Sequence, residues 1–314
     1  MSFDSFACIV GHYKSGSTWL LNMLSLHPDL RGVQETHIFH HLRHAPDLRS
    51  CTQTLFNSVP WSGGGLRSLP RHHLVKHFGQ SLGRGQPSLS LPVRDRPMTR
   101  LDMPLRDQWL LYRHLTSSAS SEQYCRGFFE FLYDCLQPSR YLMEKTPNNV
   151  QYIDDIVRQF PQAKLIAIYR DGRDVVVSER AFRQYYKRSA AQSFRQSVLK
   201  WREDMEAQFR AGVSAQLYAI SYEDLLEDGR ETLRTLLDYL GLEGSSDTLE
   251  DMIERSSFSF RSGRQQGEED PYSFMRKGIV GDWRNHLTPE EIKLFKELAG
   301  DLLIRLGYEP GYDW

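Results

Sequence analysis

The chain has 314 residues, of which 40% are hydrophobic and 25% are charged, and its net charge is −1. This length suffices for one large α/β domain or two smaller ones, and a nearly neutral chain lacks the bulk field that attracts nucleic acid or a membrane surface. No run approaches the ~20 apolar residues of a membrane span, and the first apolar run lies too close to the N-terminus for a signal peptide. We therefore expect a cytoplasmic protein without nucleic-acid partners.

The first predicted elements are a short apolar strand over residues 6–10 and an apolar-periodic helix over 20–26. Between them lies a loop, residues 11–19, with the sequence Gly-His-Tyr-Lys-Ser-Gly-Ser-Thr-Trp. A glycine-bracketed loop between a strand and a helix aims backbone N–H groups and the positive end of the helix dipole at one point, which suits a phosphate-like anion. The alternative is a glycine turn that only precedes a core helix.

The position of the lysine separates this loop from the P-loop of ATP- and GTP-using enzymes. That P-loop has Lys and Ser/Thr directly after its second glycine, where they reach the phosphates and ligate Mg²⁺. Here Ser17 and Thr18 follow the second glycine, and the lysine lies inside the loop as Lys14. The sequence therefore predicts an anion that is held without a Mg²⁺-bridged triphosphate.

A polar stretch, Gln-Glu-Thr-His-Ile-Phe at residues 34–39, follows the first helix. In a parallel α/β sheet, the segment that leaves the next strand returns to the carboxyl edge, where ligands bind. Glu35 is therefore a candidate to face the ligand of the loop. His37 is the rival proton acceptor, and a solvated surface glutamate is the structural alternative.

Residues 43–140 carry the weakest pattern. A Gly-Gly-Gly run, several prolines and scattered arginines predict long loops, with helical patches over 107–115 and 122–136. Four cysteines lie in the chain without a C-x-x-C or disulfide-framework spacing, so we expect reduced thiols. They are Cys8, Cys51, Cys125 and Cys135.

Two histidine pairs have the i, i+4 spacing that can place two metal ligands on one helical face, His40/His44 and His73/His77. Neither pair has the glutamate of an H-E-x-x-H motif. Exposed histidines are the favoured interpretation, and we predict no metal site.

The pattern becomes regular again after residue 143. Helical spacing of apolar residues predicts a helix over 150–160, and the apolar run 163–169 predicts a buried parallel strand. This strand delivers Arg170 to the carboxyl edge of the sheet, and Ser178 is placed one to two turns into the next helix. A charged fork and a hydroxyl so placed can converge on one phosphate, although the two residues alone also suit an ordinary surface pair.

Three further elements follow. A helical apolar stripe over 194–209 is interpreted as core, and 216–221 is the next buried-strand candidate. Leucines over 233–240 predict a helix that Gly241 ends as a C-cap. The last helix is predicted to start with a capping box from Thr288 to Glu291.

Residues 14–19, Lys-Ser-Gly-Ser-Thr-Trp, resemble the 5′-phosphosulfate-binding loop of sulfotransferases that use 3′-phosphoadenosine 5′-phosphosulfate (PAPS). Arg170 and Ser178 match the 3′-phosphate segment of that family at both positions. Residues 276–283 contain Arg-Lys-Gly, two further residues and then Gly-Asp-Trp. This is similar to the C-terminal signature of cytosolic sulfotransferases, in which the first three residues grip the 3′-phosphate.

Two shorter segments resemble adenine-binding parts of the same family. Tyr222 begins a Tyr-Glu-Asp-Leu segment like one whose tyrosine contacts adenine, and residues 256–258, Ser-Ser-Phe, resemble a Thr-Ser-Phe segment that gives polar contacts and a stacking ring. A packed core side chain is the alternative for Phe258. The resemblance covers residues 5–40 and 141–307 in matching order.

The segment around Glu35 resembles the Glu-x-His-Phe-Phe-like segment of heparan-type sulfotransferases, whose glutamate is the general base. No Lys-Thr-His segment carries the histidine base of the cytosolic members, so the base role falls to Glu35, with His37 as its rival. The Lys-x-x-x-Thr-Val-x-x-x-Glu dimer motif of animal cytosolic enzymes is also missing near the C-terminus, which leaves the oligomeric state open.

The resemblance implies how these residues divide the work, because sulfonate transfer depends mainly on positioning and charge stabilisation. Lys14 would neutralise charge on the leaving phosphate oxygen, and Glu35 would take the acceptor's proton. The implied catalytic residues are Lys14, Glu35 and His37. The implied cofactor-binding residues are Lys14, Ser15, Gly16, Ser17, Thr18, Trp19, Arg170, Ser178, Tyr222, Ser257, Phe258, Arg276, Lys277 and Gly278.

The resulting prediction is an α/β fold with a P-loop-like central parallel sheet flanked by helices. It forms a single domain over 1–314, in which 43–140 is a divergent acceptor-site or lid insertion. The predicted reaction is metal-independent transfer of a sulfonate from PAPS to a hydroxyl or amine of a small-molecule, lipid or glycan acceptor, with adenosine 3′,5′-bisphosphate (PAP) as product. The alternatives are a Mg²⁺-dependent small-molecule or nucleotide kinase and a non-catalytic nucleotide-binding module.

Overall fold

The computed structural model of the chain describes residues 5–58, 98–99, 105–136, 138, 140–185, 193–214, 217–270 and 275–314. Within these residues the strands are β1 Phe6–Gly11, β2 Leu30–Gln34, β3 Met98–Thr99, β4 Tyr141–Lys145, β5 Lys164–Tyr169 and β6 Leu217–Ser221.

The strands form one sheet in the order β3-β2-β4-β1-β5-β6. The pairs β2–β3, β2–β4 and β5–β6 are parallel, with Leu30 opposite Tyr141 and Leu165 opposite Leu217. Every residue of β1 and β4 is buried, as expected for parallel strands that are covered on both faces. The predicted α/β fold with a parallel sheet is confirmed.

The helices alternate with the strands in most of the chain. In the described part of the chain they are, in order, α1 Ser17–Leu24, α2 Ile38–His44, α3 Leu48–Ser58, α4 Leu105–Thr116, α5 Ser121–Leu136, α6 Ile153–Gln159, α7 Gly172–Tyr185, α8 Phe194–Ser214, α9 Tyr222–Glu227, α10 Gly229–Leu240, α11 Ser246–Ser256, α12 Phe258–Ser262 and α13 Pro289–Arg305. Short 3₁₀ helices cover Pro147–Tyr152 and Asp282–Asn285.

The chain divides into two compact units. The first unit comprises Met1–Cys8 and Leu24–Ala163, and the second unit comprises Ile9–Met23 and Lys164–Trp314. The predicted single domain with an acceptor-site insertion stays a prediction, because residues 59–97 lie outside the described part of the chain.

An aromatic cluster forms part of the core of the first unit. The Phe6 ring lies 4.7 Å from the Phe129 ring and 4.5 Å from the Phe160 ring, measured between centroids. The helices predicted over 107–115 and 122–136 are confirmed as α4 and α5. The helix predicted over 150–160 is shorter, because Pro147 starts a 3₁₀ segment that continues to Tyr152 before α6 begins.

The core of the second unit includes Trp201 of α8, which is fully buried and packs on Phe295 of α13 at 5.7 Å between centroids. The predicted capping box is present at the start of α13, since Thr288 Oγ1 accepts from the backbone of Glu291 and the Glu291 side chain accepts from the backbone of Thr288. Gly241 ends α10 with a left-handed backbone, as predicted.

The four cysteines all lie in the described residues and form no disulfide. Burial raises the pKa of the Cys51 and Cys135 thiols to about 11, so these side chains behave as unreactive thiols. None of the described helices is long and apolar enough to cross a membrane.

Candidate active site

The anion loop is the turn between β1 and α1 in the second unit. β1 carries the chain to Gly11 and α1 begins at Ser17, so the predicted order of strand, loop and helix is confirmed. Lys14 and Gly16 have left-handed backbones, with φ of 70° and 92°. Left-handed residues in a short loop are typical of the concave backbone nests that bind anions.

Lys14 lies over two aromatic rings. Its Nζ is 3.8 Å from the centroid of Phe182 on α7 and 5.0 Å from that of Tyr13. The two rings meet edge to face at 5.6 Å. Cation–π attraction to these rings restrains the half-buried ammonium on the loop.

The buried polar atoms without a hydrogen-bond partner within the described residues include Ser15 Oγ and Arg170 Nε, both near this loop. Buried polar groups are normally hydrogen-bonded. A phosphate or sulfonate oxygen would supply the missing acceptor for each, so the residues present fit an anionic ligand. Ser17, which is buried, and Thr18, which is half-buried, add two hydroxyls at the start of α1.

Trp19 and Tyr222, the two aromatic residues predicted to contact adenine, lie in contact with each other. Their ring centroids are 5.2 Å apart in an edge-to-face arrangement, and Trp19 Nε1 donates to the carbonyl oxygen of Ser256 at 2.8 Å. A Cβ at Gly16 would lie 2.6 Å from the Tyr222 ring. The loop glycine is therefore required for the tyrosine to pack against the loop.

Arg170 follows β5 and its guanidinium stacks on the Tyr222 ring at 4.3 Å. Its Nη2 donates to the carbonyl oxygen of Ile279 at 2.9 Å, which ties the end of β5 to the C-terminal signature segment. Ser178 is half-buried and lies in the second turn of α7, as predicted. Its convergence with Arg170 on a phosphate stays a prediction.

The predicted adenine-contacting pair Ser257 and Phe258 starts helix α12. Ser257 is the N-cap residue, and its Oγ accepts from the backbone N–H of Phe260 at 3.2 Å. The Phe258 ring is half-buried rather than part of the core, and it lies directly against the backbone of Gly278. A partly exposed ring fits a stacking role better than the core alternative.

Arg276 and Lys277 are both held by the same two carboxylates. Asp282 lies 2.6 Å from Arg276 Nη2 and 2.9 Å from Lys277 Nζ, and Glu269 lies 2.6 Å from Arg276 Nη1 and 3.4 Å from Lys277 Nζ. Although burial opposes it, hydrogen bonds from Lys277, Asn285 and Arg276 hold the pKa of Asp282 well below its usual range. No sequence motif pointed to Glu269, which lies seven positions before Arg276.

Asp174 is a second residue that the sequence motifs did not indicate. It is buried, its Oδ2 accepts from the backbone N–H of Gly281 at 2.7 Å, and its Oδ1 accepts from that of Trp283 at 2.8 Å. Burial raises the pKa of Asp174, while nearby Arg170 opposes the rise. This carboxylate fixes the Gly-Asp-Trp turn, and the repeated Arg-Asp in residues 170–174 was its only signal.

The predicted base lies in the first unit, at the ends of β2 and β4. Glu35 Oε1 accepts from Lys145 Nζ at 3.3 Å, and the Glu35 backbone N–H donates to the Lys145 carbonyl oxygen at 2.6 Å. The Lys145 side chain is 0% exposed and that of Glu35 is 34% exposed. Burial lowers the pKa of Lys145, with partial opposition from Glu35. Glu35 is thus an ion-paired, half-buried carboxylate rather than a solvated one.

A buried carboxylate, Glu144, organises the segment that carries both candidate bases. It accepts from Thr36 Oγ1 at 2.8 Å, from Thr146 Oγ1 at 2.5 Å and from Asn149 Nδ2 at 2.5 Å. Thr36 lies between Glu35 and His37, whose φ values of 56° and 53° are left-handed. Such backbones are unfavourable for residues with a Cβ, and the bonds to Thr36 stabilise them.

His37 is the N-cap residue of α2, and its backbone N–H donates to Thr146 Oγ1 at 3.3 Å. On the same helix, His40 Nδ1 and His44 Nε2 both contact the Tyr152 hydroxyl, at 2.7 and 3.2 Å. Within the described residues, no group of three or more His, Cys, Asp or Glu side chains is arranged to hold a metal ion. The His73/His77 pair lies outside those residues.

The model of the Sulfotransferase family matches residues 7–247 of this chain. The chain belongs to the sulfotransferase family. The match includes the anion loop, both candidate bases and the Arg170 segment, and it ends before the Arg-Lys-Gly segment. Family membership confirms the resemblance to sulfotransferases, and the roles of the individual site residues stay predictions.

Known sulfotransferases show the same fold. A 3-beta-hydroxysteroid sulfotransferase from Cavia porcellus is 24% identical over 169 residues, which are 48% of this chain and 58% of that protein. The sulfotransferase domain from the curacin biosynthetic pathway is 18% identical, with a TM-score of 0.56 over 97% of this chain and 98% of that one. A mouse sulfotransferase complexed with PAP is 16% identical, with a TM-score of 0.53 over 96% of this chain and 84% of that one.

The chain spans about half the length of the curated relatives it matches. At these identities the two structural neighbours show the fold alone, so the predicted P-loop-like α/β architecture is confirmed.

Proposed function

We propose that this chain transfers a sulfonate group from PAPS to a hydroxyl or amine of a small-molecule, lipid or glycan acceptor by in-line displacement. The observation that carries the proposal is the place of Lys14, whose ammonium is restrained inside the anion loop by Phe182 and Tyr13. A lysine inside the loop can neutralise the charge on one transferred group, such as a sulfonate. Loops that bind a Mg²⁺-bridged triphosphate instead have their lysine directly after the second glycine.

The nucleotide would be held by residues of the second unit. The 5′-phosphate would accept hydrogen bonds from the backbone N–H groups of the anion loop and from the hydroxyls of Ser15, Ser17 and Thr18. The 3′-phosphate would take Arg170, Ser178, Arg276, Lys277 and the backbone of Gly278, and the adenine would lie among Trp19, Tyr222, Ser257 and Phe258. The fit is supported by Ser15 Oγ and Arg170 Nε, which are among the buried polar atoms that have no hydrogen-bond partner in the described part of the chain.

When bound, PAPS supplies the sulfonate group and a phosphate leaving group. Lys14 would neutralise the negative charge that grows on the bridging oxygen as its bond to sulfur breaks, which is a transition-state interaction. Glu35 would accept the proton of the attacking hydroxyl or amine. The buried Lys145 would hold the Glu35 carboxylate in place, and Glu144 would hold the backbone on either side of it.

The acceptor class is proposed from the relatives. One curated relative is named for 3-beta-hydroxysteroids, which supports a small, lipid-like acceptor with a hydroxyl group. The proposed reaction needs no metal, because Lys14 takes the place of a divalent cation. The proposed location is the cytoplasm, where free thiols such as the four of this chain persist.

The test is a calorimetric titration of the protein with PAP and, separately, with ADP and Mg²⁺. We expect PAP to bind and ADP with Mg²⁺ to bind at least tenfold more weakly, because the 3′-phosphate adds charge-assisted hydrogen bonds of roughly 1.5–3 kcal/mol each. Activity with PAPS should also persist in excess EDTA. Preferential binding of ADP with Mg²⁺ would favour a kinase, and PAP binding without turnover of any acceptor would favour a non-catalytic module.

A further inference from the structure

A buried histidine lies beside Lys14 in the anion loop. His12 is only 1% exposed, and both of its ring nitrogens face carboxylates. Nδ1 lies 2.6 Å from Asp204 Oδ2 on α8, and Nε2 lies 3.3 Å from Glu179 Oε1 on α7. The His12 carbonyl oxygen accepts from the N–H of Ser15 at 3.2 Å, which closes the loop.

The two carboxylates also carry cations of their own. Asp204 Oδ1 lies 3.0 Å from Lys200 Nζ, which also contacts Glu203 at 2.9 Å. Glu179 Oε2 lies 3.0 Å from Arg183, whose other nitrogen donates to Ser197 Oγ at 3.2 Å. Among the groups named here, a protonated His12 makes three cations that face three carboxylates. Although burial alone would lower the pKa of His12, the bonds to Asp204 and Glu179 raise it above its ordinary value of 6.5.

The loop is attached to α7 at two neighbouring points. His12 meets Glu179, and Lys14 meets Phe182, three residues further along the same helix. Residues three apart lie on the same side of a helix. The first attachment therefore sets the distance at which the second can form.

We propose that His12, as an imidazolium, is a positioning residue that fastens the anion loop to α7 and α8 and so sets the affinity for the 5′-phosphate or phosphosulfate group. This inference rests on the proposed function. His12 itself contacts no ligand, and its effect passes through the backbone of the loop and Lys14. Deprotonation leaves Asp204 and Glu179 facing a neutral ring. The contacts of His12 with these two carboxylates are then weaker.

The sign of the pH effect follows from the raised pKa. The stabilisation that His12 gives is complete below its unfolded value of 6.5 and is lost as the pH rises through the higher pKa of the folded protein. Affinity for a 5′-phosphate should therefore fall in that window. A ligand without a 5′-phosphate should show no such fall.

The experiment compares wild type with His12→Gln, which keeps a hydrogen-bonding group and removes the charge. Calorimetric titrations use PAP, adenosine 5′-monophosphate and adenosine 3′-monophosphate. We expect His12→Gln to weaken the first two by roughly tenfold each and to leave the third unchanged. With PAPS as substrate, KM should rise more than kcat falls. His44→Gln, an exposed histidine on α2, is the control and should change nothing.

The proposal is overturned if His12→Gln binds PAP as wild type does, or if it weakens all three nucleotides equally. If wild type itself fails to bind PAP, the proposed function fails instead. Should His12→Gln not fold, NMR titration of the histidine ring nitrogens in the wild-type protein decides the matter. An imidazole at position 12 that is neutral at pH values below 6.5 would refute the imidazolium.

Discussion

Lys145 Nζ lies 3.3 Å from Glu35 Oε1, and the lysine side chain is completely buried while the glutamate is half-exposed. The pair therefore has one end inside the first unit and one end open to solvent. Glu35 is the member of the pair that solvent can partly reach. This geometry suits a proton acceptor that must meet a ligand from solution.

Glu35→Gln should reduce turnover by roughly 10²–10⁴-fold, because it keeps the size and the hydrogen bonds of the side chain but removes the proton acceptor. Binding of PAP should remain nearly unchanged. The loss should be larger for an alcohol than for a phenol, since a phenol with a pKa near 10 is a better nucleophile on its own. Steady-state rates and calorimetry measure the two effects.

His37→Ala is the matched comparison on the same acceptor. It should retain substantially more activity than Glu35→Gln. A fully active Glu35→Gln enzyme beside an inactive His37→Ala enzyme would assign the base to the histidine.

Lys145→Met should flatten the dependence of stability on pH. Burial lowers the pKa of Lys145 below its ordinary value of 10.5, so between the two values the unfolded chain binds more protons and the free energy of unfolding rises with pH. Methionine removes the titrating group and keeps most of the volume. Urea denaturation from neutral pH to pH 10.5 measures the slope. In Lys200, burial lowers the pKa but Asp204 and Glu203 raise it overall, so Lys200→Met should not flatten the rise.

Glu269→Gln should strengthen PAP binding by a few-fold, because it frees Arg276 and Lys277 from a competing carboxylate and exposed ion pairs are worth about 0–1 kcal/mol. Asp282 would still orient both cations. Arg276→Gln should act in the opposite direction. Calorimetry measures both variants, with the neighbouring Glu268→Gln as control. If neither single variant changes the affinity for PAP, the segment with Arg276 and Lys277 does not bind the 3′-phosphate.

Lys14→Ala should lower kcat far more than it weakens PAP, since the lysine is placed to meet charge that develops as the bond breaks. Single-turnover rates and calorimetry separate the two effects. If kcat survives within about threefold, a loss below 1 kcal/mol, Lys14 is an ordinary anion ligand.

Local patterns predicted much of the site. The strand, loop and helix around Lys14, the placement of Arg170 after β5 and the capping box of α13 all depend on residues that are close in sequence. The Trp19 and Tyr222 rings lie in contact, and their shared role in binding adenine stays a prediction. A local sequence pattern predicts the local backbone conformation, and the loop around Lys14, the position of Arg170 and the capping box all follow from that conformation.

The partners that tune the site escaped prediction for the opposite reason. Glu35 and Lys145 are separated by 110 positions, and Asp174 and Gly281 by 107. No spacing rule connects such pairs, since they meet only when the sheet has formed. The burial of Lys145 and Glu144 was equally hidden, because a Glu-Lys pair in a sequence ordinarily indicates a solvated surface.

Gly278 has a φ of 67° and lies so close to Phe258 that a Cβ there would overlap the ring. The left-handed backbone at Gly278 therefore positions both the Phe258 ring, the candidate for stacking on adenine, and the two cations before the glycine, Arg276 and Lys277. A change in the backbone at Gly278 would move Arg276 and Lys277 and would also displace the Phe258 ring. This matters for any redesign toward a donor nucleotide without a 3′-phosphate. Such a redesign has to change the side chains of Arg276 and Lys277 and keep the backbone conformation of Gly278.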